Sequence, residues 1–232
     1  MKMKMLIASI ALSPLFFASC KKESDANPSS EASSFAYQLK TINRTTTVGR
    51  ISQTSRTEAA SLQWTSGTAS ANELKFEAEN PGGEIEFKQK TAQQIDLFAA
   101  TSSLGNITIP AGTYNEVEFK AFLAPTTSAP ALELSGSFTS SGVTKPVIFR
   151  MNSAVELKAE KKNVTVASGT SYSALNTIDL SQLISGVSES ALTNATTTNG
   201  TIVISANANS DIYNIILNNL NSHHGEAEVE HH

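Results

Sequence analysis

Histidine is missing from almost the whole of this chain. All four, His223, His224, His231 and His232, fall within the last ten of its 232 residues. Cysteine is scarcer still, with Cys20 alone. These absences exclude Ser-His-Asp and Cys-His catalysis from the body of the chain, and a His-ligated zinc or haem site with them. A single cysteine leaves no disulfide within the chain, so any fold must be held by its core. Tryptophan occurs once, at Trp64, and phenylalanine outnumbers tyrosine by 10 to 4, which favours core packing over ligand stacking. Charged residues make up only 16 % and the net charge is −4. Without a basic excess there is no electrostatic footprint for nucleic acid. There is no phosphate-cradling loop either, because Pro81-Gly82-Gly83 lies between two strand patterns and opens no helix.

The N-terminus is where the sequence is most specific. Lys2 and Lys4 precede an apolar stretch from Leu6 to Phe17, then Ala18, Ser19 and Cys20. That order predicts a signal peptide over residues 1–19, since a membrane-spanning helix needs about 20 apolar residues. A cysteine at the cleavage point predicts lipidation of Cys20 and attachment to a membrane through that lipid anchor. Residues 20–34, rich in Ser, Lys and Glu, carry no apolar period and are expected to form a disordered tether.

From Phe35 onward apolar residues recur with a period of two. Phe35, Tyr37 and Leu39 mark one strand, and Leu62 and Trp64 another. Leu74, Phe76 and Ala78, the turn Asn80-Pro81-Gly82-Gly83, then Ile85 and Phe87 read as a hairpin. Further alternation follows around Ile95, Ile107, Val117, Leu132, Val143, Val155, Val164 and Ala174, with turn residues between. The reading is a mainly β chain: an antiparallel β-sandwich over residues 35–221, with one or two short helices near the C-terminus. Asp179 or Ser181 is expected to cap one helix, and Ser210 or Asp211 a second that presents Ile212, Ile215, Ile216 and Leu220 on one face. Phe76, Phe87, Val117, Phe119, Leu132 and Leu134 are expected to share one core. The glutamates at alternate strand positions are expected to face solvent. Trp64 is placed in the core by its alternation with Leu62, and Tyr114 at a chain corner.

Three segments carry a resemblance: Leu62-Gln63-Trp64-Thr65-Ser66-Gly67, Ile109-Pro110-Ala111-Gly112-Thr113-Tyr114 with Glu116-Val117-Glu118, and Leu132-Glu133-Leu134-Ser135-Gly136. From Phe35 to Leu183 the chain resembles an uncharacterised family of β-sandwich lipoproteins of Bacteroidetes-type bacteria, with a transthyretin- or immunoglobulin-like domain. Phe17-Ala18-Ser19-Cys20 likewise resembles a bacterial lipobox, and Lys21-Lys22-Glu23-Ser24-Asp25 the acidic export signals of surface lipoproteins. The resemblance implies a fold and an address, the bacterial outer membrane at its periplasmic face or the cell surface. It brings no catalytic residues with it.

The last stretch, residues 222–232, combines His223, His224, His231 and His232 with Glu226, Glu228 and Glu230. Imidazole is a good ligand for Zn²⁺ or Cu²⁺, so this flexible tail is expected to bind such ions weakly, with no cofactor elsewhere. The function expected is that of a lipid-anchored binding or structural protein, not an enzyme, with an unidentified protein or glycan partner. Two alternatives stand beside it. One is a fimbrial or surface-assembly subunit, in which Arg44, Arg50 and Arg56 offer protease sites after the first strand. The other is a glycan-binding or glycan-processing surface lipoprotein.

Overall fold

The computed structural model describes residues 32–49 and 59–222, together with the backbone of His224–Glu226 and Glu228–His231. Cys20, the residues 1–19 expected to form a signal peptide, and Arg50 and Arg56 lie outside the described residues. The strands are β1 (Ser33–Ile42), β2 (Thr46–Thr47), β3 (Ser61–Asn80), β4 (Gly83–Asp96), β5 (Ser102–Ile109), β6 (Gly112–Leu123) and β7 (Leu132–Ser140). They continue as β8 (Val143–Met151), β9 (Val155–Val166), β10 (Ser171–Asp179), β11 (Thr197–Thr198), β12 (Thr201–Ile204), β13 (His224–Glu226) and β14 (Glu228–His231). A 3₁₀ turn (Gln182–Ile184) and two helices, α1 (Glu189–Thr193) and α2 (Ser210–Asn221), lie in the C-terminal third.

These strands form two sheets, the mainly β sandwich that the alternation predicts. The small sheet has the order β14-β10-β1-β5. The large one runs β11-β12-β8-β7-β3-β6-β9-β13, with β2 and β4 on the other side of β3. Most pairs are antiparallel, but β1–β10, β12–β8 and β13–β9 are parallel, which local alternation does not signal.

The sequence reading splits β3 into two strands; the structure joins them. Irregularities between Trp64 and Ser66 and between Ala71 and Glu73 bend the strand without ending it. Strands β6 and β7 then lie end to end along one edge of β3, with Leu123 opposite Ala71 and Leu132 opposite Ala69. Strands β8 and β9 repeat this, Met151 pairing with Leu132 and Val155 with Leu123. Gly136 lets this layer close tightly, since a Cβ there would sit 2.2 Å from the Gln63 carbonyl oxygen.

One half of the large sheet packs on the small sheet through aromatic rings. Phe35 lies 6.3 Å from Phe76 and 5.8 Å from Phe119 by ring centroids, and Phe76 and Phe119 meet edge-on at 5.1 Å. The other half is covered by α2, whose Tyr213 stacks on Phe149 at 5.7 Å. Of the expected core, Phe76, Val117, Phe119, Leu132 and Leu134 are buried, whereas Phe87 is only half-buried, because β4 is a margin of the sheet.

Several boundaries shift. The sandwich begins at Ser33 rather than Phe35: Ser33 is buried and its hydroxyl donates to the Ala167 carbonyl at 2.5 Å. Asp179 does not cap the 3₁₀ turn as a helix cap; its Oδ1 accepts from the Ser181 backbone N–H at 2.9 Å in a local turn. The α2 cap is Asn209, in the left-handed region (φ 52°), not Ser210 or Asp211. Its side chain bonds Thr196 and the Val203 carbonyl, tying the helix start to β12. On α2 the buried positions are Ile212, Tyr213, Ile216 and Leu220, with Ile215 at the margin. The short α1 carries no apolar period in sequence; it is capped by the Ser188 hydroxyl accepting from Ala191 N–H at 3.1 Å.

Candidate functional site

The outer face of the large sheet holds the densest chemistry among the described residues. Four strands carry charge at every second position: Lys75-x-Glu77-x-Glu79, Glu84-x-Glu86-x-Lys88, Glu116-x-Glu118-x-Lys120 and Lys158-x-Glu160-x-Lys162. Register brings like charges directly opposite. Lys88, Lys75, Lys120 and Lys158 form one row, and Glu86, Glu77, Glu118 and Glu160 the next. A third row holds Glu84, Glu79, Glu116 and Lys162. Like charges directly across a sheet repel, so attraction has to come from neighbours along a strand and on the diagonal.

Those contacts are present. Lys75 bridges Glu77 on its own strand and Glu86 on the diagonal, the latter at 2.8 Å. Lys120 bridges Glu118 at 2.6 Å and the diagonal Glu77. Lys158 bridges Glu118 and, at 3.3 Å, Glu160. The charges interlock into a lattice across four strands. Burial works against ionisation of Glu77, but the bonds from Lys120 and Lys75 outweigh it and hold its carboxyl low. For Glu118 the same contest, with Lys120 and Lys158 prevailing, takes the carboxyl down to about 2. Glu86 is lowered by the bonds from Lys75 and Lys88. Lys75 and Lys158 are raised by their carboxylate bonds, from Glu77 and Glu118 first. For Lys120, desolvation is overcome by Glu118 and Glu77.

The lattice has an acidic end. A shallow concavity of about 410 Å³ at the β3–β4 turn is lined by Glu77, Glu79, Glu84, Glu116 and Glu118. At its outer margin Lys162 lies 3.7 Å from Glu116. Carboxylate oxygens of Glu116, Glu118 and Glu160 lie within 4.8 Å of one another, as metal ligands would. Two lysines already hold the oxygens of Glu118, so a metal ion would have to displace them. The sequence reading takes these glutamates for a solvated face. The repeated charge offsets are visible in each strand, but their alignment into rows depends on register.

The tail is placed differently from the expectation. Strand β13 runs parallel to β9, setting His224 beside Lys158 and Glu226 beside Glu160. Strand β14 pairs antiparallel with β10, setting His231 at Tyr172. The supposed flexible tail thus forms an edge strand on each sheet. The backbones of His224 and His231 are seated on different strands, β9 and β10. His223 and His232 lie outside the described residues.

The aromatic residues give the clearest exclusion. Trp64 and all four tyrosines, Tyr37, Tyr114, Tyr172 and Tyr213, are buried. Tyr114 is a corner, its hydroxyl donating to the Pro110 carbonyl at 2.8 Å. Tyr172 stacks on Phe35 at 4.7 Å and accepts from Ala167 N–H. Burial pushes the Tyr37 hydroxyl far above its ordinary value, and Asn176 donates to it at 3.3 Å. No tryptophan or tyrosine is left on the surface as a flat platform for a sugar ring.

Compared with family models, with curated proteins and with solved structures, the chain gives no significant match.

Proposed function

We propose that this chain is a lipid-anchored binding or structural protein of the bacterial outer membrane, held by Cys20, and not an enzyme. The observation that carries the reading is the position of the lone cysteine, directly after the apolar segment Leu6 to Phe17 and its Lys2 and Lys4 flank. The architecture fits this reading. Buried Ser70 and Asn176 make internal bonds, Ser70 Oγ to the Pro130 carbonyl at 2.8 Å and Asn176 Nδ2 to the Tyr37 hydroxyl at 3.3 Å. What it offers outward is a rigid, charged β surface. The likeness to Bacteroidetes-type lipoproteins belongs to the same proposal. The test is growth with a tagged fatty acid: the parent takes up label and Cys20→Ala does not, and the variant leaves the membrane fraction. Equal labelling of both overturns the reading.

A second reading, a surface-assembly subunit, is favoured by one observation. Strand β1, first among the described residues, lies in the middle of the small sheet between β5 and β10. Removing it would leave a strand-wide groove floored by Phe76 and Phe119, the site for a neighbour's strand. Arg44, just after β1, is exposed. Ladders of multiples in unboiled gels would support this reading; a single band would count against it. The glycan reading has no comparable observation, given the buried aromatics.

A further inference from the structure

We infer that the free edge of β4 pairs with itself: a second copy of this chain adds its own β4 antiparallel to the first, with Phe87 on the two-fold axis. Strand β4 runs along β3 in unbroken register from Gly83 to Lys90, and the irregularity falls beyond Lys90. Among the described residues no strand pairs with its other edge. Among the described residues its far end is covered, where Gln93 Nε2 donates to the Ser103 carbonyl at 3.0 Å and Ser102 Oγ to the Asp96 carbonyl at 2.7 Å, and the Gln89 side chain reaches toward Gly105 of β5.

The phase of the backbone suits such pairing. Asn80 and Gly83 flank a two-residue turn and form the bonded pair that closes it. Alternation then directs the backbone groups of Gly83, Ile85, Phe87 and Gln89 toward β3. Those of Glu84, Glu86, Lys88 and Lys90 point to the free edge. In an antiparallel pair centred on Phe87, Glu86 faces Lys88 of the second copy and Glu84 faces its Lys90. Both are bonded positions on each strand. Phe87 meets its own copy at a non-bonded position, where side chains come closest.

The charge pattern selects this register. Glu84-x-Glu86-x-Lys88-x-Lys90 reverses sign about Phe87. A two-fold rotation therefore lays acid on base at every outward position. Parallel pairing in register would lay Glu on Glu and Lys on Lys. Within the chain, β4 meets like charges directly across at three outward positions, Glu84 with Glu79, Glu86 with Glu77 and Lys88 with Lys75, and an opposite charge at the fourth, Lys90 with Glu73. At the three like-charge positions the second copy supplies an opposite charge directly across. Lysines on an edge normally repel any incoming strand; here the paired glutamates turn that block into a choice of partner. On the inner face Ile85 and Phe87 are half-buried apolar side chains, Phe87 resting 6.2 Å from Phe76. A second strand would complete their burial.

The test is the mass in solution of the full chain, with Cys20→Ala throughout to remove lipid and stray thiol. Lys88→Glu with Lys90→Glu makes the edge wholly acidic; Glu84→Lys with Glu86→Lys makes it wholly basic. The parent should reach twice the chain mass as concentration rises. Each variant alone should stay at one chain, and an equimolar mixture should return to two, one of each kind. Circular dichroism checks that both keep the parent's strand signal. Should either fail to fold, Phe87→Cys decides: it cross-links on mild oxidation, because non-bonded partners stand about 4.5 Å apart by Cα, whereas Ile85→Cys does not. A parent that stays at one chain mass at every concentration overturns the proposal. So do charge variants that associate as the parent does, or cross-linking that is equal at both positions.

Discussion

Phe119 shows how much a single side chain contributes. It is wholly buried where the two sheets meet, against Phe35, Tyr37 and Phe76. Replacing it by Ala removes the transfer free energy of the ring and leaves a cavity that three rings cannot all fill. Phe119→Ala should cost about 3–5 kcal/mol in denaturant unfolding. Phe87→Ala should cost clearly less in the isolated chain, since Phe87 is half-buried on a marginal strand. Equal losses would mean that β4 is covered in a way the strand pairing does not show. Trp64 illustrates the same scale from the polar side. Its indole N–H is buried with no hydrogen-bond partner among the described residues, a cost set against burial of the whole ring.

At the scale of elements, β13 and β14 alter what the histidines can do. Strand β13 seats His224 along β9, and β14 seats His231 along β10. A zinc ion takes its ligands at about 2.0–2.1 Å. If all four imidazoles gather on one ion, the segment is expected to leave at least one sheet. Calorimetry with Zn²⁺ should show binding in the parent that weakens as pH falls through about 6.5, where imidazole protonates. A variant with all four histidines replaced by Asn should show no such heat. In the parent, Zn²⁺ should also speed amide exchange along Lys158–Glu160 and Tyr172–Leu175, the stretches that β13 and β14 pair with. Binding with no change in exchange would place the ion on a seated segment; identical heats from parent and variant would remove metal binding altogether.

For the molecule as a whole, the charged lattice sets the dependence on pH. Glu77, Glu86 and Glu118 have carboxyls lower in the folded chain than in the unfolded one. Their contribution is complete above about 4.3, the ordinary glutamate value, and is lost as pH falls. For Glu118 the loss runs down to about 2. Lys75, Lys120 and Lys158 are shifted upward. Their contribution is complete below about 10.4 and fades only above it. Between those limits the lattice predicts a flat profile. Thermal melts from pH 7 to pH 2 should show Tm falling below about pH 4.5, less steeply in Glu118→Gln and in high salt, where exposed pairs are screened. An acid limb unchanged by Glu118→Gln would assign the loss to other carboxylates.

Period-two alternation alone determined the class of fold, the Glu73 to Lys88 hairpin and most of the core, because a strand's faces are written locally. Composition alone determined that between Lys21 and Ser222 there is no histidine or cysteine for catalysis to use. The union of two expected strands into β3 was not legible, because a bulge keeps pairing across a break in alternation that reads as an end. Neither was the parallel seat of β1 against β10, which joins residues far apart in the chain. The alternating Lys and Glu were plain in every strand, yet only register decided that they stand in rows of like charge. A shift of one residue would have sent the same side chains into the core. The tail has no apolar period to announce a strand. It becomes one because two sheet edges, closed off by nothing else among the described residues, present backbone donors and acceptors that an extended segment can satisfy.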